Sequence, residues 1–180
     1  VSGIASGDEV LLINLQGTDS AHAAVGTYEL ATVQSVSGAD VTLFTAVAET
    51  YGEASNTDLS GQTIVLQRVP NYADVTISSG GSITSSAWSG TSGGIVAFRA
   101  SGTLSIASGG YVIADSLGYA AGETGTFGNC DAFQGESYAG LGDGDGDGVC
   151  TAYNETYGHW ANNYGGGGAH ITGGGGEHAG

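Results

Sequence analysis

Lysine and methionine are absent from this chain of 180 residues, proline occurs once and cysteine twice, and Arg68 and Arg99 are its only strong bases. Against those two arginines stand eighteen acidic residues, a formal net charge of −16. Binding to a phosphate backbone or an anionic membrane depends on Lys and Arg displacing counterions, so the composition argues against nucleic acid as a partner. No run of eighteen apolar residues is present, so no direct membrane insertion is expected. No basic stretch followed by an apolar core opens the chain, which reads as soluble and already processed, or as a piece of something longer. Helix signals are weak throughout.

What is abundant is glycine, thirty-five residues of it, with many Ser, Thr and Ala. That balance suggests a secreted or cell-surface protein, and an acidic surface suits saline or calcium-rich surroundings where cations screen its self-repulsion. A chain of about 150 residues buries roughly 70% of its unfolded surface, so a real core is within reach. Cys130 and Cys150 flank a polar, glycine-rich loop, and in an oxidising compartment a disulfide is the first reading. Closing a loop of that length stabilises a fold by about 3 kcal/mol in the chain-entropy model. Neither cysteine has a second one at metal-ligand spacing, which makes zinc the weaker reading.

The pattern along the chain predicts an all-β protein in three parts. Residues 1–72 read as a small barrel-like or sandwich-like module of four or so strands. "GTYELATVQSVSGADVTLFTAV" alternates apolar and polar residues about Ser37-Gly38-Ala39-Asp40, a hairpin turn. Pro70 forces an extended or turning segment and forbids a central ladder position. Residues 73–118 change rhythm: Val75-Thr76-Ile77, Ser82-Ile83-Thr84, Ile95 to Phe98, Leu104-Ser105-Ile106 and Tyr111-Val112-Ile113 recur at intervals of roughly seven to twelve residues. That interval fits short β-solenoid rungs with Gly and Ser at the corners, the alternative being an antiparallel meander. Residues 119–180 read as a glycine-rich coil without helices. Disordered linkers are poor in aromatic residues, whereas this stretch holds Tyr119, Phe127, Phe133, Tyr138, Tyr153, Tyr157, Trp160 and Tyr164. The expectation is a coil laid down on the rest of the protein or on a neighbouring copy, anchored by those rings and the disulfide.

The runs "GIASGDEVLLINLQGT", "VGTYELATVQSVSGADVTLFTAV" and "IVLQRVPNYADVTISSGGSITSSAWSGTSGGIVAFRASGTLSI", with "GYAAG", "GESYAG" and "GGGGAHITGGGG", resemble a glycine-rich module of large bacterial surface proteins, the agglutinin-receptor and gliding-motility adhesin-like group. "RVPNY" and "GESYAG" are the most specific parts. The resemblance implies extracellular display, β-rich structure and a structural or adhesive role, with no catalytic residues. The insert Gly142 to Cys150 and the cysteine pair depart from the common pattern. A looser similarity is to the glycine-rich tips of phage tail-fibre adhesins, where glycine strands pack closely because only hydrogen side chains allow the backbones to approach. The short runs here are Gly165, Gly166, Gly167 and Gly168, then Gly173, Gly174, Gly175 and Gly176, read as assembly contacts between copies.

Several constellations are candidates for chemistry. Asp143, Asp145 and Asp147 fall in the register of a calcium loop, with Gly148 at the turn, the Val149 carbonyl, Thr151 and Asn154 completing it. Position twelve of such a loop takes a bidentate Glu rather than Asn154, so an acidic solvated loop stands beside calcium as the alternative. Tyr153, Tyr157, Trp160 and Tyr164, interleaved with Asn and His, suit stacking on the sugar rings of surface glycans, or simply pin the coil. His22, His159, His170 and His178 read as surface histidines before metal ligands. Asn154-Glu155-Thr156 spells a glycan acceptor. Gly90-Thr91-Ser92-Gly93-Gly94 matches the hydrolase elbow in spelling but lacks the following helix, so a tight turn is expected. Asp115, Glu123 and Arg99 are the only groups an enzyme reading has to offer, and no enzyme is expected. The sequence therefore points to an extracellular structural subunit that assembles with copies of itself. A glycan-binding adhesin is the rival reading.

Overall fold

A computed structural model of the chain describes residues 3–18, 20–120 and 136–140. Within them the protein is all-β, without helices. Strands β1 (Glu9–Gln16), β2 (Tyr28–Ser37), β3 (Asp40–Leu43) and β4 (Thr63–Arg68) form one curled antiparallel sheet in the order β3-β2-β1-β4. The alternation in β2 explains its placement. Ala31 and Val33 are buried while Thr32 and Gln34 face solvent, the period of two that a half-buried strand requires. The expected hairpin is present: Ser37 pairs with Asp40, and Gly38 between them has φ +61°, a left-handed conformation that costs glycine little.

Val10 and Val33 are fully buried and, with Ala31, form the centre of the sheet's core, against which Ile4, Val36, Val41, Leu43 and Leu66 pack. Asn14, on the same face of β1 as Val10, is also fully buried. Its Nδ2 donates to the Tyr51 carbonyl (3.0 Å) and to Gln62 Oε1 (2.6 Å), so the buried amide ties the β3–β4 connection to the sheet. Tyr51 completes the clasp, the single proton of its hydroxyl shared between Glu29 (3.1 Å) and the Leu12 carbonyl (3.3 Å). Burial, and then the Glu29 carboxylate, push its phenol well above the ordinary tyrosine range.

Pro70 ends β4 and lies outside any ladder, as its missing N–H demands. Six short strands follow: β5 (Asn71–Tyr72), β6 (Val75–Ile77), β7 (Ser82–Ile83), β8 (Arg99–Ala100), β9 (Leu104–Ile106) and β10 (Tyr111–Val112). They pair in parallel, β5 with β8, β6 with β9 and β7 with β10. Asn71 meets Arg99, Val75 meets Leu104 and Ser82 meets Tyr111, so partners lie 28 or 29 residues apart. The antiparallel meander is therefore not formed. Successive strands begin four, seven, seventeen, five and seven residues apart, so the expected rhythm of seven to twelve holds only from β6 to β7 and from β9 to β10, and hydrogen-bonded neighbours recur at 28 or 29 residues. Ile95 to Phe98, expected as a strand, run without ladder pairing, and the strand begins at Arg99. The corners repeat as well: Gly80 (φ +79°) donates its N–H to the carbonyl of Gly109 (φ +81°), 2.8 Å away.

Candidate functional site

The seam between the sheet and the parallel strands is electrostatic. Arg99 Nε of β8 lies 2.7 Å from Glu9 at the start of β1 and crosses the seam, while Arg68 Nε at the end of β4 lies 2.8 Å from Asp8, just before β1, and braces the sheet beside it. Asn71 adds a donor to the same Glu9 oxygen at 3.0 Å. The Arg68 hydrogen bond, followed by the Ala5 amide, holds Asp8 below its ordinary pKa; Arg99, followed by Asn71, does the same for Glu9. Arg99 therefore serves as a tie between two parts of the fold. Ser92, the serine of the elbow-like spelling, lies in a tight turn: Ser89 N donates to its carbonyl at 2.9 Å, and the extended Ile95–Phe98 segment follows in place of a helix.

At the other end of β1 two islands of the glycine-rich part lie against the sheet. The Tyr119 hydroxyl donates to the Leu15 carbonyl, and its ring takes the edge of Trp88 with centroids 5.7 Å apart. Burial, with a smaller contribution from the Glu136 charge, raises the Tyr119 pKa. Gly17 N donates to the Tyr138 carbonyl at 2.8 Å, and the Tyr138 ring packs edge-on against His22. Glu136 is buried, and its two oxygens accept from Gln16 Nε2 and Ala120 N, each at 3.0 Å. Thus the motif "GESYAG" supplies the contacts that fasten residues 136–140 to β1. Between these rings and Ile13, Leu15 and Val25 is a cleft of about 330 Å³. His22 Nδ1 is 2.8 Å from the Thr18 carbonyl; a carbonyl only accepts, so Nδ1 donates there and Nε2 is the ring nitrogen left to face a ligand.

The third feature is a set of unpaired strand edges carrying apolar side chains. Among the described residues β9 and β10 each pair on one side only, and Leu104, Ile106, Tyr111 and Val112 are all exposed, Tyr111 to 57%. Their first-layer partners differ: Val75 and Ile77, beneath Leu104 and Ile106, are buried. An apolar row covered in one layer and open in the next is a surface on which a further layer of strands gains both hydrogen bonds and burial. The sequence pattern found these strands but gave no sign that their outer row stays uncovered, because exposure depends on what stacks above.

Most of the residues singled out in the sequence lie outside the described residues. These are Cys130 and Cys150; Asp143, Asp145, Asp147, Val149, Thr151 and Asn154; Tyr153, Tyr157, Trp160 and Tyr164; His159, His170 and His178; Glu123; and the runs from Gly165 to Gly168 and from Gly173 to Gly176. Asp115 is described and exposed. Among the described residues no group of three or more His, Cys, Asp or Glu is placed to hold a metal ion, and no helix is long and apolar enough to cross a membrane. Neither a protein-family model, nor a curated protein, nor a solved structure matches the chain.

Proposed function

We propose that this chain is a structural subunit or segment of an extracellular fibre or matrix, assembled from copies of itself through β-strand edges. The observation that carries the reading is the set of exposed apolar side chains Leu104, Ile106, Tyr111 and Val112 on strands whose outer backbone groups have no ladder partner among the described residues. The two layers of parallel strands are read as two coils of a β-solenoid, whose open end a neighbouring copy continues. A contact of that kind that does not close into a ring makes a filament. In the same reading the disulfide Cys130–Cys150 and the glycine runs consolidate the assembly outside the cell, as in the surface-protein group that the sequence resembles, and calcium in the aspartate loop is an optional brace.

Electron microscopy and sedimentation velocity test this. The wild type should form polymers that lengthen with ionic strength, because salt screens the charge of −16 between copies. The double substitution Leu104→Asp, Ile106→Asp should remove the contact through this row and give markedly shorter polymers, with an unchanged far-ultraviolet circular dichroism spectrum. Monodisperse wild-type monomers at high concentration and high salt would refute the reading.

The cleft of His22, Tyr119 and Tyr138 favours a second reading, a glycan-binding adhesin. Tyrosine rings offer stacking faces and His22 Nε2 offers a hydrogen-bond partner for a hydroxyl, while the acidic surface disfavours anionic sugars. Specific signals on a glycan array that disappear with Tyr138→Ala, or with Trp160→Ala in the aromatic cluster of the sequence, would support it. An array on which the wild type gives no signal would dismiss it.

A further inference from the structure

β3 and β4 are the two edges of the four-stranded sheet, and each has something the other lacks. Along β4, Val69 N donates to the Glu9 carbonyl at 2.8 Å, so by strand alternation Ile64, Leu66 and Arg68 turn their N–H and C=O groups away from β1. Across from that edge runs the extended segment Ile95–Phe98, whose backbone makes no backbone hydrogen bond among the described residues. Only the Gln67 side chain bridges the two, donating to the Ile95 carbonyl at 3.2 Å. Between them lie two adjoining hollows of about 290 and 330 Å³, which share Gln67, Arg68, Ser85 and Ile95 and so form one groove. The larger hollow is walled by Ile4, Val65, Leu66, Ser86, Gly93 and Ile95. At the opposite edge, Phe44 directly follows β3 and is 63% exposed, the highest exposure of any large apolar side chain among the described residues.

We infer that the β3 edge of one copy docks on the β4 edge of the next, with Phe44 as the knob and the hollow beside Leu66 and Ile95 as the socket. This rests on the self-assembly reading and adds to it a second contact, distinct from the exposed row on β9 and β10. The occupant is a second copy of this chain for three reasons on the molecule itself. Both edges belong to one sheet, so their union continues the order β3-β2-β1-β4 from copy to copy. The knob is aromatic, and Ile4, Val65, Leu66 and Ile95 give the socket an aliphatic wall beside its polar rim. Arg68, half exposed beside the groove, is one of only two arginines in the chain, and its pairing with Asp8 leaves this rim less negative than the rest of an acidic surface, which eases the approach of an acidic copy. A projecting apolar residue that fits a hollow elsewhere on the same molecule produces a head-to-tail contact that does not close, which is the geometry of a filament rather than of a dimer.

The test uses the full chain and two substitutions at exposed positions, so that folding is not at stake. Phe44→Ser removes the knob and keeps the groove; Ser86→Trp fills the groove and keeps the knob. Sedimentation velocity at high salt should show each variant alone to be much shorter than the wild type. With Leu104→Asp and Ile106→Asp added to both variants to remove the other contact, each alone should be monomeric and an equimolar mixture should gain a species of twice the mass, because only one productive pairing exists between the two. Wild-type polymers that Phe44→Ser leaves unchanged in length, or a mixture that behaves as the sum of its components, would overturn this contact while leaving assembly through β9 and β10 standing. A wild type that never assembles overturns both.

Discussion

Arg99 on β8 donates from Nε to the carboxylate of Glu9 at the start of β1, 2.7 Å away, across a separation of 90 residues in the chain. The bond joins the parallel strands to the antiparallel sheet, while the neighbouring pair Arg68–Asp8 lies within the sheet, linking the end of β4 to the residue just before β1. One of the chain's two arginines thus ties two pieces of β-structure together and the other braces the sheet itself.

The acid limb of stability should report this seam. Both carboxylates titrate below their ordinary values of 3.8 and 4.5, so in the window beneath those values the unfolded chain binds more protons than the folded one. The stabilisation is therefore present above about pH 4.5 and is lost as pH falls through the folded-state values. Falling pH also relieves the general self-repulsion of an acidic chain, so wild type and Glu9→Gln should be compared. We expect Glu9→Gln to cost about 0.2–1 kcal/mol at pH 7, the range of a partly exposed pair, with the gap closing at acid pH in thermal melts. A gap independent of pH would contradict the assignment.

At the alkaline end Tyr51 governs. Its folded pKa is raised, so the stabilisation is complete below the unfolded value of 10.0 and is lost as pH rises above it. Spectrophotometric titration should show one phenol that ionises only together with loss of the native circular dichroism signal. In Tyr51→Phe that phenol should be missing and the alkaline transition shifted.

Gly52, next to that tyrosine, tests the β3–β4 connection. A Cβ there would run into the carbonyl oxygens of Ser55 and Asp58, both backbone atoms that yield only if the loop moves. Gly52→Ala should cost about 1–3 kcal/mol in urea unfolding. At Gly118 a Cβ meets nothing within 4 Å, and Gly118→Ala should stay within about 0.5 kcal/mol of wild type.

The aspartate loop has a simple assay. If Asp143, Asp145 and Asp147 hold calcium, the melting temperature rises with added Ca²⁺, falls back with a chelator, and no longer responds in Asp145→Ala. An unresponsive wild type removes calcium from the protein.

The sequence announced the sheet clearly because a strand with one buried face writes its period into the residues: Ala31 and Val33 in, Thr32 and Gln34 out. It announced the turn at Gly38 for the same local reason. Parallel stacking was harder to read because pairing partners are 28 or 29 residues apart, beyond any local window. A signal was nevertheless present: Ile77-Ser78-Ser79-Gly80-Gly81-Ser82-Ile83 and Ile106-Ala107-Ser108-Gly109-Gly110-Tyr111-Val112 are one motif written twice. Nothing local marks Glu9 as the partner of Arg99, or Phe44 as exposed beside an open edge. Those relations exist only once the chain has brought distant strands together.

The arginine seam has a consequence for the chain's lifetime outside a cell. Trypsin-like proteases cut after Lys or Arg and thread an extended, unpaired stretch of backbone through their cleft. Here they find just two scissile bonds, after Arg68 and after Arg99. Both arginines lie in paired strands, Arg68 with its guanidinium on Asp8 just before β1 and Arg99 with its guanidinium on Glu9 of β1. The Arg99–Glu9 contact that joins the two parts of the fold thus also guards one of the two tryptic sites, and limited proteolysis after Arg99 becomes a gauge of whether the seam is closed.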